Sequence, residues 1–399
     1  MSKISHVQRA HALLGASKAE QWISCPPSAR LQESIPEKRS EYADEGTAAH
    51  ELGENKLRRR VTACDSKERK RLDKDLERIK AGQYYCREME DIIQDYAELV
   101  EEMYLSAKAK SPDAVILLEE RLDFSEWVPG GYGTGDIVII ADGVLEVIDL
   151  KYGAGVAVSA VGNPQMRLYA LGAWSAYSYL YGIEEVKMTI IQPRLDSIST
   201  DSIAIDDLLE WAENVVKPAA ALADAGEGEF KSGEHCRWCK VKGNCRARAD
   251  EAMRALEYEL QDPALLSNEE IGSTLFIADQ LKKWAKDVED YAFDQAVSGH
   301  PIPQWKLVEG RSNRTIQDKD AAIKAFEAAK LEPDKYLKPQ ELLGIGDLEK
   351  KVGKKVLPII LDGLITKPPG KPTLVAETDP RPELNSMESD FADIDFSQE

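Results

Sequence analysis

Asp136, Asp149 and Lys151 lie in two runs rich in β-branched residues, Gly133-Thr-Gly-Asp136-Ile-Val-Ile-Ile140 and Val144-Leu-Glu-Val-Ile-Asp149-Leu-Lys151. Between the runs stands Ala141-Asp142-Gly143, and Asp-Gly is a strong signal for a two-residue hairpin loop. Such a loop sets the register: Ala141 faces Val144, Asp136 faces Asp149, and Thr134 faces Lys151, with alternate residues sharing a face. Two like charges directly opposed destabilise a sheet. A positive charge between them is therefore expected, either a divalent cation held by oxygen ligands or the Lys151 ammonium.

The element that must bring further groups to this hairpin is a helix. Asn163-Pro164 reads as an N-cap followed by proline at the first helical position, launching a helix to roughly Tyr181. Gln165 and Tyr169, four residues apart, share a face of it. A lone Asp or Lys on a strand is usually part of a solvated face, but five polar residues in this order with a common register weigh against that reading.

In order and spacing, Gly-Thr-Gly-Asp136, Val-Ile-Asp149-Leu-Lys151 and Gln165-Met-Arg-Leu-Tyr169 resemble the core of the PD-(D/E)XK nuclease superfamily in its RecB-like branch. Asp44 to Arg60 reads as a helix with Thr47 as its candidate N-cap and His50 in its first turn, and its segment Gly46-Thr-Ala-Ala-His50 is similar to the first motif of that branch, where the histidine is a metal ligand. The resemblance implies an α/β fold, a restriction-endonuclease-like mixed sheet flanked by helices. It also implies a site in which His50, Asp136, Asp149 and the Leu150 backbone carbonyl hold Mg²⁺ or Mn²⁺. Lys151 would orient or help deprotonate the attacking water and offset charge on the phosphorane-like transition state, while Gln165 and Tyr169 position the strand. A nitrogen ligand biases such a site toward Mn²⁺.

Of the six cysteines, three form the run Cys236-Arg-Trp-Cys239-Lys-Val-Lys-Gly-Asn-Cys245. Three thiolates invite a fourth ligand. Zinc would accept the set, with His235 able to complete it locally, and spacing alone does not separate zinc from iron–sulfur. The segment Ser17-Lys-Ala-Glu-Gln-Trp22-Ile-Ser-Cys25-Pro26 reads as a short helix capped by Ser17 and stopped before proline. It resembles the opening of RecB-like nucleases that carry a cluster, where one cysteine precedes the first catalytic motif and three follow the last. That resemblance implies a [4Fe-4S] cluster on Cys25, Cys236, Cys239 and Cys245 that staples the chain ends of the nuclease domain, with Zn²⁺ as the alternative. Cys64 and Cys86 read as free thiols, since a disulfide framework does not suit a cytosolic chain of this length.

At 399 residues the chain has room for two domains. No run of about 18 apolar residues is present, so no membrane span is expected. The N-terminus lacks the apolar segment of a signal peptide, which places the protein in the cytoplasm, that of a bacterial host if the chain is phage-encoded. The net charge of −20 suits nucleic-acid contact only through a limited basic groove and a metal. Arg58-Arg59-Arg60 and Lys67 to Arg71 could flank such a path or be a solvated face. Residues 66–110 read as charged helix with a break near Ala81-Gly82, Val115 to Leu118 begins a strand, Val186 to Gln192 is another, and Asp206 to Ala225 is a helix.

The expected organisation is a RecB-like nuclease domain with its iron–sulfur staple over 1–262, a mainly helical C-terminal domain over 263–366, and a disordered acidic tail over 367–399. The middle part carries a helix from Ile271 to Val297, a strand candidate from Gln304 to Val308, a helix from Lys319 to Lys330, and a basic patch from Lys350 to Lys355. In the tail, acids alternate with Phe391, Ile394 and Phe396, which resembles the partner-recruiting tails of single-stranded-DNA-binding proteins; a DNA mimic over the protein's own groove and a solubilising tail are the alternatives.

The resemblance, to CRISPR-associated RecB-like exonucleases and to uncharacterised phage nucleases, implies a metal-dependent DNA exonuclease serving phage DNA recombination or replication. Its partners would be DNA, single-stranded or with free ends, and a single-stranded-DNA-binding protein or recombinase. The rival readings are an inactive nucleic-acid-binding or scaffold protein and a zinc-stabilised replication accessory acting through its tail.

Overall fold

Alternation of apolar side chains along the strands builds a sheet with a hydrophobic layer on each face. The computed structural model describes residues 12–36, 40–254, 268–308, 324, 345–352 and 357–361. Its sheet has five strands in spatial order β1 (Val115–Asp123), β2 (Tyr132–Ala141), β3 (Gly143–Leu150), β4 (Ile183–Gln192) and β5 (Ser197–Ala204). Only β3 and β4 run parallel; the other neighbours are antiparallel.

On one face, Val138, Ile140, Leu145 and Val147 join a core with helices from before β1 and after β3. These are α1 (Ala19–Ser24), with α2 (Ser28–Leu31) following it, then α6 (Pro164–Tyr177), α7 (Ile205–Trp211) and α8 (Lys217–Ala225). On the other face, Ile137, Ile139, Ile148 and Leu150 pack against α3 (Glu41–Val61) and α5 (Arg87–Lys110), with α4 (Ser66–Lys80) alongside α3. Parallel strands need a crossover, and α6 supplies it between β3 and β4. Asn163 caps α6 by accepting from the Gln165 and Met166 amides, with Pro164 in the first turn. The helix ends at Tyr177, four residues before the expected Tyr181.

The β2–β3 register is the one set by the Asp142-Gly143 turn, where Gly143 takes φ +81°. Its paired ladder stops at Ile137–Ile148, however, so Thr134 and Lys151 do not face each other as ladder partners. The Lys151 amide instead donates to the Ile191 carbonyl at 2.9 Å, because β3 is drawn on along β4.

Helix α3 begins earlier than Thr47, the expected cap. Ser40 accepts from the Ala43 amide, and the Thr47 hydroxyl, inside the helix, donates to the Ala43 carbonyl at 2.9 Å. His50 therefore sits in the third turn, not the first. Ser17 does not cap α1 either; it lies in a 3₁₀ turn, Ala16–Lys18, that leads into the helix. The predicted helix from Asp206 to Ala225 is present, but it passes through a π turn at Ala212–Val216 between α7 and α8. Pro218, lacking an N–H, cannot sustain regular α bonding there. β5 is a strand that periodicity had not flagged, an edge whose exposed residues alternate with half-buried ones.

Two further helices, α9 (Arg246–Arg254) and α10 (Asn268–Val297), follow the cysteine run. Gln304 to Val308 is not a strand: Gln304 takes φ +71° and the Trp305 amide closes a turn on the Ile302 carbonyl at 3.0 Å. The chain divides into two compact units, 1–342 and 343–399. In the second unit the described helices are α11 (Ile345–Val352) and α12 (Leu357–Ile360). The expected boundaries at 262 and 366, the helix from Lys319 to Lys330 apart from Lys324, the residues 353–355 of the basic patch, and the acidic tail lie outside the described residues.

Candidate active site

Where the β2–β3 ladder ends, Asp136 stands on β2 with partners from two other elements. Its Oδ2 accepts from the Leu150 amide at 2.8 Å, and its Oδ1 lies 3.3 Å from His50 Nδ1 on α3. A third group completes the set: Glu119 on β1, in register with Asp136 between the pairs Leu118–Ile137 and Glu120–Gly135. Ligand atoms of His50, Glu119 and Asp136 all lie within 4.8 Å of one another, half-buried, and are the only such trio of His, Cys, Asp or Glu ligand atoms among the described residues. Leu150 lines the same cavity.

Glu119 takes φ +55° in the middle of a strand. A non-glycine residue in the left-handed region costs on the order of 1–2 kcal/mol, and such strain concentrates at functional sites.

On β3 the second aspartate is buried and held differently. Asp149 Oδ1 accepts from Gln165 Nε2 at 3.0 Å, and Asp149 Oδ2 lies 2.9 Å from Lys151 Nζ. The latter is an ion pair without good hydrogen-bond alignment, so this oxygen keeps its acceptor capacity. Gln165 also accepts from Lys151 Nζ at 3.3 Å and stands 3.5 Å from the Tyr169 hydroxyl. Gln165 thus bridges the carboxylate, the ammonium and the phenol. Gly133 makes room for the last of these: a Cβ there would lie 2.6 Å from the Tyr169 ring.

Charge explains how the groups titrate. Burial works against a protonated His50, but Asp136, then Asp149 and Glu119, outweigh it and raise the imidazole to about 9. Burial likewise opposes ionisation of Asp136, yet His50 and the Leu150 amide hold its carboxyl below the usual range. Asp149 is pushed up by burial, with Asp136 adding to the shift and Lys151 opposing it. Lys151 is raised because Asp149 overcomes the cost of burying the ammonium. The site therefore pairs two carboxylates with unequal proton affinities and a firmly held cation.

The expected residues His50, Asp136, Leu150, Asp149, Lys151, Gln165 and Tyr169 all meet at this end of the sheet. Glu119 was not among them. Its signal, two acids in succession after Val115-Ile-Leu-Leu118, says only that one of the pair faces inward.

Away from the sheet, Cys25, at the C-terminus of α1, shares one cavity with Cys236, Cys239 and Cys245. No three of these sulfurs fall within 4.8 Å of one another. Burial, with the neighbouring thiols adding, raises Cys239 to about 11. Two buried polar atoms lining the cavity, Gln21 Nε2 and Ser28 Oγ, make no hydrogen bond. His235 lines the same cavity, its ring bonded to the Lys231 carbonyl at 2.9 Å and to the Cys25 thiol. Cys64 and Cys86 are free, and Cys86 caps α5 through its sulfur.

In the arginine run each half-buried guanidinium is engaged by carboxylates. Arg58 pairs with Glu54, Arg59 with Asp73, and Arg60 with Glu98 and Glu101.

The chain belongs to the family described as protein of unknown function DUF2800, whose model matches residues 11–382. Among solved structures, the crystal structure of SSO0001 is similar at 14% identity, covering 61% of this chain and 90% of that chain, with a TM-score of 0.26. No helix among the described residues is long and apolar enough to cross a membrane.

Proposed function

We propose that this protein is a metal-dependent deoxyribonuclease with a PD-(D/E)XK core, acting as an exonuclease on DNA in phage recombination or replication. The observation that carries the reading is the adjacency, across one hairpin, of a His50–Glu119–Asp136 ligand set and an Asp149–Lys151 pair bridged by Gln165.

The donor set fits a divalent ion. On an octahedral ion bound at about 2.1 Å, ligand atoms stand roughly 3.0–4.2 Å apart, within the spacing of these three groups. The Leu150 carbonyl and Asp149 Oδ2 are the further acceptors at hand. Bound there, Mg²⁺ or Mn²⁺ would supply Lewis acidity toward the scissile phosphate and a more acidic water. Lys151, raised by Asp149 in the ion-free site, would orient or help deprotonate the attacking water and offset charge on the phosphorane-like transition state. Gln165 fixes Asp149 and Lys151 relative to each other, and Tyr169 supports Gln165.

We read the cavity lined by Cys25, Cys236, Cys239 and Cys245 as the seat of a [4Fe-4S] cluster, with zinc as the alternative that the same thiolates would accept. The unpartnered Gln21 and Ser28 donors are suited to inorganic sulfide. When bound, the cluster would hold α1 against the Cys236–Cys245 loop and take no part in cutting.

End-labelled single- and double-stranded DNA, incubated with and without Mn²⁺, tests the proposal. The wild type should shorten the label stepwise only with Mn²⁺ present, and Asp149→Ala and Lys151→Ala should each abolish this without loss of folding. DNA bound but left intact under all conditions would point instead to an inactive nucleic-acid-binding protein. A single-stranded-DNA-binding protein or recombinase is the protein partner this reading proposes.

A further inference from the structure

The cysteine loop carries an exposed aromatic side chain that its structural role does not need. Trp238, between Cys236 and Cys239, is 73% exposed, and the Arg237 guanidinium stacks over its ring at 5.3 Å from the centroid. Phe230, 46% exposed, lies at the rim of the cavity holding the same cysteines. A large apolar ring on a tight, doubly anchored loop is neither buried nor free to fold away.

The charge around it is anomalous for this molecule. In a chain of net charge −20, the segment 231–248 carries Lys231, Arg237, Lys240, Lys242, Arg246 and Arg248 against the single acid Glu234. Some of this charge is spoken for: Lys242 and Arg248 both pair with Asp287 of α10, and Lys240 donates to the Ile35 carbonyl. Arg237 and Arg246 are exposed and form no ion pair with any described residue. The Arg237 guanidinium thus stands against a flat π-surface within an acidic protein, with Arg246 exposed one residue beyond Cys245. A duplex hides its base faces, whereas an unpaired strand offers both phosphates and stackable bases.

We propose that Arg237 and Trp238 form a stacking platform for an unpaired base of single-stranded DNA, with Arg246 and the outward face of Arg237 meeting flanking phosphates. The proposal rests on the deoxyribonuclease reading and deepens it by naming the strand type engaged outside the cutting site. The cysteine loop then has two duties: it holds the chain together and it grips the strand.

Anisotropy of a labelled oligodeoxythymidylate, with full-length protein in buffer free of divalent ions, measures this grip without cutting. Base stacking on an aromatic ring is worth about 1–3 kcal/mol, so Trp238→Ala should weaken binding about tenfold. Trp238→Phe should restore most of it, and Arg237→Ala with Arg246→Ala should lower the salt dependence of affinity. Melting temperature reports folding of each variant. Equal affinity of folded Trp238→Ala and wild type overturns the platform, as does tighter binding of duplex or of RNA than of single-stranded DNA. Loss of Mn²⁺-dependent cutting in the wild type would sink the nuclease reading but leave the Trp238-dependent affinity to be read separately.

Discussion

His50 is a cation in the ion-free protein at neutral pH, because the carboxylates around it outweigh the cost of its burial. Its pKa rises from 6.5 unfolded to about 9 folded. The stabilisation is therefore complete below pH 6.5 and is lost as pH climbs through about 9. Without divalent ions, Tm should fall across that window, and His50→Asn should flatten this part of the profile. A metal must displace the same proton, so Mn²⁺ affinity should rise by about tenfold per pH unit over the window; calorimetric titration showing no pH dependence would remove His50 from the ligand set. Glu119 makes a sharper test. If its left-handed backbone is maintained for the sake of ligation, Glu119→Gly relieves strain and loses a donor together. Tm without metal should hold or rise, while Mn²⁺ affinity drops by about 10–100-fold or more, given that even supporting residues cost that much. Asp136, Asp149 and Lys151 could be read from the chain because a two-residue turn fixes their neighbours locally. Glu119 could not, because the link from β1 to β2 is long and its register depends on packing that no local rule determines.

Among the elements, the hairpin and α6 form one device. Gly133 on β2 lets the Tyr169 ring of α6 approach, and Tyr169 in turn stands beside Gln165, which holds Asp149 and Lys151. Gly133→Ala places a methyl 2.6 Å from a ring carbon. Overpacking of that kind costs about 1–3 kcal/mol, and the displaced ring loosens the Gln165 bridge. Such a variant should lose several degrees in Tm and should lose kcat more than substrate affinity, measured by steady-state cutting of single-stranded DNA with Mn²⁺. Unchanged kcat with lowered Tm would mean that Tyr169 only packs. Signals within a few residues announced α6 and the β2–β3 turn: an Asn-Pro cap and an Asp-Gly loop. Weak or competing local signals misled elsewhere. Ser40 took the cap that Thr47 could have supplied. The polar alternation of Ser197 to Ala204 became an edge strand because β4 offered it a ladder.

At the scale of the molecule, Cys25 and the Cys236–Cys245 loop lie more than two hundred residues apart in sequence yet line one cavity. The contacts already joining them are modest: Gln32 accepts from the Lys240 amide at 2.7 Å, and Lys240 reaches the Ile35 carbonyl at 2.6 Å. On the other side Asp287 of α10 bonds Lys242 and Arg248, and a Cβ at Gly243 would meet the Asp287 carbonyl at 2.5 Å. Closing so long a loop through a shared inorganic group removes chain entropy worth about 5 kcal/mol by the cross-link argument, or on the order of 10 °C in Tm for a unit of this size. Cys239→Ser, purified without oxygen, should therefore lose the brown colour of the wild type and melt at least that much lower. Below its melting point it should still cut DNA, because no cysteine belongs to the Asp136–Asp149 site. Cys64→Ser, its sulfur outside the cavity, should change neither colour nor melting. A colourless wild type carrying one equivalent of zinc would overturn the cluster and leave the staple; a wild type with no metal at the thiols and a Cys239→Ser variant of equal Tm would overturn both.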